Sequence, residues 1–268
     1  MIVTFSGTGN SFLVAQLLQC RLGGDMVKLQ YDILKNGLNS NMIASEHTII
    51  WVFPTYSWGI PPVLLKFIDK TNPIFHDDAL HHLVVTCGDD TGDLSRQWER
   101  LLDMRGWKRG GMWSVQMPNT YVLMKGFNTD PAAVEKRKLD LCEHRVADIA
   151  LEIKKGTLAD DVVRGSWRWI KTKIIYPWFV MHEMSPEPFH ASDRCISCGL
   201  CEEQCPTCNI SMMPVDDPAA RPQWGDDCAF CLRCYHHCPA HAIEYGRKTR
   251  GKGQYKILKF INDQGLFK

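Results

Sequence analysis

The sequence predicts an α/β protein in which a doubly wound, five-stranded parallel sheet is followed by a small cysteine-rich α+β domain. Three observations lead to this prediction. Short apolar segments alternate with helix-like segments over the first part of the chain, a glycine-rich loop follows the first apolar segment, and cysteines repeat at one spacing near the C-terminus. At 268 residues the chain exceeds one typical domain, so it has room for both parts.

The alternation of strands and helices predicts the sheet. Apolar runs bounded by Gly, Pro, Asp or Asn predict strands at 2–5, 26–30, 47–53, 82–87 and 111–117. The segments between them predict helices at 11–22, 62–69, 93–104 and 132–155. Such alternation indicates parallel strands covered by helices on both faces, and ligands of these sheets bind beyond the carboxyl ends of the strands.

Eight cysteines form two motifs with the same spacing, Cys-x2-Cys-x2-Cys-x3-Cys-Pro. This spacing places three thiolates on one cubane 4Fe-4S cluster, while the fourth cysteine ligates the neighbouring cluster. The proline after each motif, Pro206 or Pro239, turns the chain sharply. One cluster is assigned to Cys195, Cys198, Cys201 and Cys238, and the other to Cys228, Cys231, Cys234 and Cys205. The repeat resembles that of bacterial dicluster ferredoxins.

Three other interpretations of these cysteines agree less well with their spacing. Structural zinc needs only four ligands and would not require the third cysteine of each motif or the matched prolines. Disulfides are disfavoured because the sequence shows no secretory leader at Met1, and twelve cysteines then suit a reducing compartment. Cys201-x3-Cys205-x2-Cys208 matches the signature of radical enzymes that cleave S-adenosylmethionine, but it lies inside the repeat. Cys208 is therefore predicted to be a spare thiol, packed as a small apolar group.

A glycine-rich loop, SGTGNS at residues 6–11, follows the first predicted strand. Its backbone amides and hydroxyls can converge on a phosphate at a helix N-terminus. A dinucleotide fingerprint would need a third glycine and a nucleotide P-loop would need Gly-Lys-Ser/Thr, so neither is matched. A Gly-rich turn with an Asn cap is the purely structural alternative. The loop resembles the FMN phosphate loop of flavodoxins, which implies that FMN is bound by Ser6, Thr8, Gly9, Asn10 and Ser11.

Two later loops lie where a flavin ring would need them. The loop after the third strand, PTYSWGIPP at 54–62, presents two aromatic side chains, and Tyr56 or Trp58 is predicted to stack on the isoalloxazine. The alternative for one of this pair is that it fills a hydrophobic corner. The loop after the fourth strand, CGDDTG at 87–92, has glycines that let backbone amides approach the ring edge. The predicted contacts are Pro54, Thr55, Tyr56, Trp58, Gly59, Gly88, Asp89 and Gly92.

Together these features resemble flavodoxin-ferredoxin fusion proteins common in anaerobes. MPNTY at 117–121 and the segment from Cys205-Pro206 to Asn209-Ile210 are also similar to that group, and Pro118 to Tyr121 could border the flavin. The resemblance implies a flavodoxin-like FMN-binding domain at 1–163, an aromatic and basic interdomain helix and linker at 164–190, and a dicluster 4Fe-4S ferredoxin domain at 191–268. A closing strand is predicted at 255–261.

The interdomain segment is rich in tryptophan and basic residues. It is predicted to bury its aromatic side chains against one half of the protein; the alternative is that it lies on a membrane surface. The basic run at 247–252 is predicted to be a solvated turn, with an acidic electron-transfer partner as the alternative. His236, His237 and His241 are predicted to be surface groups or neighbours of a cluster, since all eight ligand positions are filled.

The cofactors implied by these motifs, FMN and two 4Fe-4S clusters, predict a cytoplasmic electron-transfer protein that couples one- and two-electron carriers. The alternatives are an FMN-dependent reductase of a small molecule fed by the clusters, and a binding module with structural clusters. A net charge of +1 does not suggest nucleic acid as a partner, and no apolar run is long enough to span a membrane. The expected partners are a redox donor and acceptor, and a homodimer is compatible with the sequence.

Overall fold

The computed structural model describes residues 1–39, 43–215 and 217–257, and their contacts divide the chain into two compact units. The first unit comprises residues 1–6, 10–118 and 132–183. The second unit comprises residues 7–9, 119–131 and those from 184 onward. The glycine-rich loop therefore contributes residues to both units.

The first unit contains a parallel sheet of six strands with the order β2-β1-β3-β4-β5-β6. The order of the first five strands is that of the flavodoxin-like doubly wound sheet. This confirms the predicted fold class, while β6 is a two-residue edge strand that the sequence did not predict. The strands are β1 Ile2–Thr4, β2 Met26–Lys28, β3 Thr48–Pro54, β4 Leu80–Cys87, β5 Lys108–Gln116 and β6 Asp160–Asp161.

The helices of the first unit begin and end at residues with the expected backbone preferences. One helix has Pro62 in its first turn, where a missing N–H costs nothing, and ends at Asn72 in the left-handed region. The next ends at Gly106 with φ of 66°. The helices are α1 Asn10–Leu22, α2 Tyr31–Asn36, α3 Pro62–Thr71, α4 Leu94–Arg105, α5 Ala132–Lys154, α6 Arg168–Ile170 and α7 Tyr176–His182, with a π-helical turn at Lys171–Ile175 between the last two. The short helix α2 was not predicted.

The central strands β3 and β4 are buried along nearly their whole length. The buried part of β4 includes two histidines, which explains why the sequence prediction began this strand at residue 82 rather than 80. Trp51 Nε1–H donates to His81 Nδ1 at 3.1 Å, and the backbone N–H of Gly111 donates to His82 Nδ1 at 3.0 Å. Burial lowers the pKa of His81 to about 3 and that of His82 to about 4, so both imidazoles are neutral acceptors.

The second unit is built from two antiparallel strand pairs. β7 (Phe189–Ala191) pairs with β10 (Ile243–Tyr245), and β8 (Ile210–Met213) pairs with β9 (Arg221–Trp224). Two short helices, α8 (Leu200–Glu203) and α9 (Arg233–His237), complete it. Most of the closing strand predicted at 255–261 lies outside the described residues.

The second unit repeats itself with an offset of 33 residues, the separation of Cys195 and Cys228. Backbone geometry follows the repeat: φ is 55° at Ser197 and 53° at Phe230. Strand register follows it too, because Ile210 is opposite Trp224 in one pair and Ile243 is opposite Ala191 in the other. The cysteine repeat of the sequence is therefore also a repeat of structure. Among the described residues, no helix is both long enough and apolar enough to span a bilayer.

Candidate functional site

The cysteines of the two motifs lie in the second unit as two groups. Cys205 is close enough to Cys228, Cys231 and Cys234 to raise the pKa of their thiols electrostatically, and these four form the second thiol group. Cys238 has the same effect on Cys201, as does Cys195. These three form the first thiol group, to which the sequence prediction adds the exposed Cys198. Each group thus takes its last member from the other motif; that the groups bind clusters stays a prediction.

The crossing cysteines receive matching backbone hydrogen bonds. The N–H of Asn209 donates to Cys205 Sγ at 3.2 Å, and the N–H of Ala242 donates to Cys238 Sγ at 3.2 Å. Each donor lies four residues after its cysteine, which places the two pairs at equivalent positions of the repeat. A hydrogen bond to sulfur stabilises the charged thiolate that a metal requires.

Burial strongly affects the thiols. It raises the pKa of Cys228 to about 12 and that of Cys201 to about 11, and it raises the pKa of Cys231 and Cys234 above the ordinary value. Without a metal these side chains are therefore neutral thiols at pH 7. Metal binding must displace their protons, and a bound cation would stabilise the buried thiolates.

The second thiol group lines a small cavity in the second unit. Apolar and aromatic side chains, including Phe189, Ile210, Trp224 and Leu232, form its other walls. Such walls limit the access of water to the thiols. Reducible clusters in proteins are held in environments of this kind. The donor set and the cavity therefore fit a cubane. Within the described residues, no three His, Cys, Asp or Glu side chains are arranged to hold a single metal ion.

Gly7 of the glycine-rich loop packs in the second unit against the second thiol group. A Cβ atom on Gly7 would lie 2.8 Å from the Cβ of Cys231 and would meet its carbonyl oxygen. Arg233 Nε donates to the Gly7 carbonyl at 2.7 Å, and its Nη1 donates to the Gln204 carbonyl at 3.0 Å. A residue of the candidate phosphate loop is therefore in direct contact with a candidate cluster ligand.

Cys208 is exposed and does not belong to either thiol group. Its φ is 48°, and the equivalent residue of the repeat, His241, has the same value. Its backbone N–H donates to the Cys205 carbonyl at 3.1 Å. Cys208 is thus a turn residue, and its exposure contradicts the expectation that it packs as a small apolar group.

Residues 119–131 and His236, which lies within the second motif, belong to the packing of the second unit. His236 is fully buried, its Nε2 lies 2.8 Å from the Thr120 carbonyl, and its Nδ1 accepts from the Tyr255 N–H at 3.0 Å. From the basic run, Lys252 Nζ donates to the carbonyls of Val122 and Met124, both at 2.5 Å. His236 is therefore a buried structural residue of the second motif and is not a surface group.

In the first unit, the polar side chains at the start of α1 have protein partners. Ser11 Oγ and Thr86 Oγ1 are 2.7 Å apart and buried, and Asn10 Nδ2 donates to the Pro118 carbonyl at 2.9 Å. These contacts connect the start of α1 to the carboxyl end of β4 and to the residues after β5. They fix the orientation of a helix N-terminus, the part of the fold that favours anions.

The aromatic loop after β3 is a tight, strained turn. Tyr56 and Gly59 exchange two backbone hydrogen bonds of 2.9 Å, and the central residues Ser57 and Trp58 have φ of 43° and 63°. Positive φ at both central positions defines a type I′ turn, which costs free energy at residues other than glycine. Beside it, Thr55 Oγ1 is buried without a hydrogen-bond partner among the described residues. An orphaned hydroxyl next to a strained turn marks this loop as a candidate ligand site.

The helical part of the interdomain segment in the first unit, residues 164–183, contacts both candidate flavin loops, which the sequence did not predict. Thr172 Oγ1 donates to the Trp58 carbonyl at 2.8 Å and accepts from the Asp93 N–H at 2.8 Å. Lys171 Nζ lies 5.0 Å from the centre of the Trp58 ring and 2.6 Å from Asp90 Oδ2. One face of Trp58 is therefore covered by a cation.

Two glycines of the candidate loops have a packing role. The ring of Tyr176 occupies the space that a side chain on Gly59 would need, and the Tyr176 hydroxyl donates to the Ile60 carbonyl at 2.6 Å. A Cβ atom on Gly92 would lie 2.8 Å from the Cβ of Trp58. These glycines let the loops after β3 and β4 approach each other and the helical segment. Gly88 and Asp89 lie outside this packing, where their carbonyls accept from Lys138 Nζ at 2.9 Å and Gln116 Nε2 at 2.6 Å.

The same helical segment buries only part of its aromatic surface. Tyr176 and Phe179 are buried, whereas Trp167, Trp169 and Trp178 have exposed fractions of 76%, 58% and 46%. The sequence predicts that these five aromatic side chains are buried against one half of the protein. Two of the five side chains, those of Tyr176 and Phe179, meet this prediction.

Comparison with known proteins identifies the cysteine-rich segment. Residues 194–243 match the family described as "4Fe-4S dicluster domain". None of the curated proteins is a significant match to the chain.

Several solved structures are similar to the first part of the chain. A Fusobacterium nucleatum flavodoxin bound to flavin mononucleotide is 18% identical, with a TM-score of 0.38, and the match covers 57% of this chain and 95% of that one. The Trp repressor binding protein of Bacillus subtilis is 18% identical, with a TM-score of 0.38, over 54% and 97%. An azoreductase of Bacillus anthracis str. Sterne is 13% identical, with a TM-score of 0.35, over 56% and 98%. Similarities this low do not assign a cofactor or a reaction to this chain.

Proposed function

We propose that this protein relays electrons between two 4Fe-4S clusters and FMN. The observation that carries the proposal is the grouping of the cysteines, in which Cys205 lies with the second motif and Cys238 with the first. In proteins with two neighbouring cubane clusters, the fourth cysteine of each motif ligates the cluster held by the other motif. The match of residues 194–243 to a 4Fe-4S dicluster domain supports the same assignment.

The chemistry comes from the cofactors, because an FMN carries one or two electrons whereas each 4Fe-4S cluster carries one. The protein's part is to hold both kinds of carrier and to limit their contact with water. The first thiol group would hold one cluster and the second thiol group the other. The apolar cavity beside the second group would keep its cluster largely dry.

FMN binding is assigned to the carboxyl edge of the parallel sheet. Since the Ser11 hydroxyl is paired with Thr86, it would orient the start of α1, while the backbone amides and the hydroxyls of Ser6 and Thr8 would bind the phosphate. The orphaned Thr55 hydroxyl would bond the ring edge. Tyr56 is the proposed stacking residue, because one face of Trp58 is already covered by Lys171. The remaining contacts would come from Pro54, Gly59, Gly88, Asp89 and Gly92.

We assign electron exchange with FMN to the cluster of the second thiol group. Gly7 is next to Thr8 of the phosphate loop and packs against Cys231, and Arg233 connects the Gly7 carbonyl to the same group. Short paths through bonds and contacts favour fast electron transfer, and the contact of Gly7 with Cys231 is such a path within the second unit.

The test is anaerobic purification followed by iron, sulfide and flavin analysis and a stepwise redox titration. We expect iron and sulfide for two clusters and one FMN per chain, with all three centres reducible. Rapid mixing of the reduced protein with a one-electron protein acceptor should then oxidise clusters and flavin together. Zinc in place of iron, or clusters that never change oxidation state, would contradict the relay. Turnover with a small-molecule oxidant but not with a protein acceptor would indicate a reductase instead.

A further inference from the structure

The cavity beside the second thiol group contains a buried indole N–H. Trp224 is the last residue of β9, and its ring stacks on Phe189 at 5.6 Å with an interplanar angle of 18°. Its Nε1 is buried and makes no hydrogen bond among the described residues. Trp224 lines the same cavity as Cys234, and it lowers the pKa of that thiol against the larger opposing effect of burial. An unpaired donor therefore lies in the cavity of a candidate cluster ligand.

The first thiol group has no indole at the position equivalent to Trp224. The offset of 33 residues makes Ala191 the counterpart of Trp224, and strand register agrees, because Ala191 is opposite Ile243 as Trp224 is opposite Ile210. A methyl group cannot donate a hydrogen bond. The indole is therefore a difference between two sites that are otherwise built on the same backbone plan.

Charged side chains near the two groups also differ. The positive charge of Arg233 lowers the pKa of Cys231. The equivalent residue of the first half of the repeat is the apolar Leu200. The negative charge of Asp227 raises the pKa of Cys228, which is opposite in direction to the effect of Arg233 on Cys231. The equivalent residue of the first half of the repeat is Arg194. Asp227 is exposed, so solvent weakens its influence, and Arg194 is paired with Glu244 at 2.8 Å. The buried indole and Arg233 therefore dominate the difference.

We propose that Trp224 raises the reduction potential of the cluster held by Cys205, Cys228, Cys231 and Cys234, so that this cluster is the higher-potential one of the pair. Reduction adds one electron and one negative charge to the cluster without a proton. A hydrogen bond to a ligand sulfur stabilises that added charge and raises the potential. Trp224 acts through Cys234 and is a positioning and tuning residue. The inference rests on the proposed function, since it requires both clusters.

The difference would give electron flow a direction. An electron on the cluster of the first thiol group would move to the cluster of the second, which lies beside Gly7 of the phosphate loop. The difference in reduction potential would thus direct electrons toward FMN. Trp224 would contribute to the size of that potential difference.

The experiment compares Trp224→Phe with Trp178→Phe in the full-length protein purified with its cofactors. Phenylalanine keeps a ring to stack on Phe189 and removes only the N–H. Trp178 lies in the first unit and is 46% exposed, so its replacement controls for the loss of one indole. Electron paramagnetic resonance during a redox titration measures both cluster potentials. In protein labelled with ¹⁵N at the indole nitrogen, the same method detects a hyperfine coupling to the donor.

We expect Trp224→Phe to lower the higher of the two cluster potentials and to leave the lower one unchanged. The expected change is up to about tenfold in the equilibrium constant for reduction, which for a one-electron couple is about 59 mV. The ¹⁵N coupling should disappear in this variant and persist in Trp178→Phe. Two unchanged potentials, or a shift of the lower potential alone, would overturn the inference while leaving the relay intact. Iron and sulfide for fewer than two clusters in the unmodified protein would overturn the relay itself.

Discussion

Gly7 and Cys231 pack so closely that no side chain fits between them, since a Cβ atom on Gly7 would lie 2.8 Å from the Cβ of Cys231. The glycine belongs to the candidate phosphate loop and the cysteine to the second thiol group. This contact is absent from any sequence motif, because 224 positions separate the two residues along the chain. It gives the glycine-rich loop a packing role besides the binding of phosphate.

Replacing Gly7 with alanine should therefore disturb the second thiol group. The added methyl would clash with the backbone of Cys231, which cannot yield like a flexible side chain, and overpacking of this kind costs about 1–3 kcal/mol. We expect less iron per chain and slower electron exchange between flavin and clusters, measured by metal analysis and stopped-flow absorption. Gly24→Ala is the control for a general loss of stability, because its φ of 81° disfavours alanine while nothing lies within 4 Å of its Cβ position. Equal iron content and rates in the two variants would contradict the role of the contact.

The crossing arrangement predicts which cysteine affects which cluster. Cys205→Ala should remove the same cluster as Cys234→Ala, although Cys205 belongs to the other motif. Cluster signals in electron paramagnetic resonance spectra of the reduced variants would show this. Cys208→Ala, three residues away and in neither group, should retain the iron content of the unmodified protein. Loss of iron from the Cys208 variant, or loss of different clusters from the other two, would show that the grouping is wrong.

Tyr56 should contribute to FMN affinity through stacking. Tyr56→Leu removes an aromatic face worth about 0.5–1.5 kcal/mol beyond the area it buries, so we expect about three- to tenfold weaker FMN binding. Fluorescence titration of the flavin-depleted protein with FMN measures the effect. Tyr31→Leu, at a tyrosine that is 38% exposed, is the matched control. An unchanged affinity in Tyr56→Leu would exclude Tyr56 as the stacking residue and return the role to Trp58.

Stability should fall as the pH drops below about 6.5, because of the buried histidines of β4. The folded protein keeps His81 neutral down to a pKa of about 3, whereas the unfolded chain binds this proton near 6.5. The unfolded state thus binds more protons between these values, and each such histidine lowers the free energy of unfolding by about 1.4 kcal/mol per pH unit. Urea unfolding followed by circular dichroism from pH 7.5 to 5 measures the slope.

His81→Gln should reduce the pH dependence of the free energy of unfolding by about 1.4 kcal/mol per pH unit, since glutamine does not titrate. The control is His182→Gln, at an exposed histidine, which should keep the slope of the unmodified protein. Both variants share any acid lability of the cofactors, so only the difference between their slopes is informative. Identical slopes would show that His81 does not contribute to the pH dependence.

Local patterns predicted the elements of the sheet but not all of their limits. Strand β4 begins at Leu80, two residues before the predicted start, because neutral His81 and His82 accept hydrogen bonds in the core. Their burial depends on Trp51 and Gly111, which lie on the neighbouring strands, so no local pattern contained it. Helix α2 was missed because it is six residues long and buries none of its side chains, which leaves no apolar periodicity to detect.

Several residues of the candidate sites were not found from the sequence. Thr172 and Lys171 contact the loop around Trp58 from more than a hundred positions away, and no motif links them. Trp224 could have been found, since it lies 33 residues after Ala191 in a repeat that was recognised. Comparing the non-cysteine positions of the two halves would have shown the difference, but not that the indole lies in the cavity of Cys234.

The sequence by itself determined the fold class and the pairing of two cysteine motifs, because strand and helix periodicity and ligand spacing are local properties of the chain. Tertiary structure alone decided which groups lie together: Gly7 against Cys231, Thr172 beneath Trp58, and the Trp224 indole beside Cys234. The physical reason is that these contacts depend on how distant segments pack. Packing is fixed by steric fit and burial summed over many residues, and no short stretch of sequence contains that information.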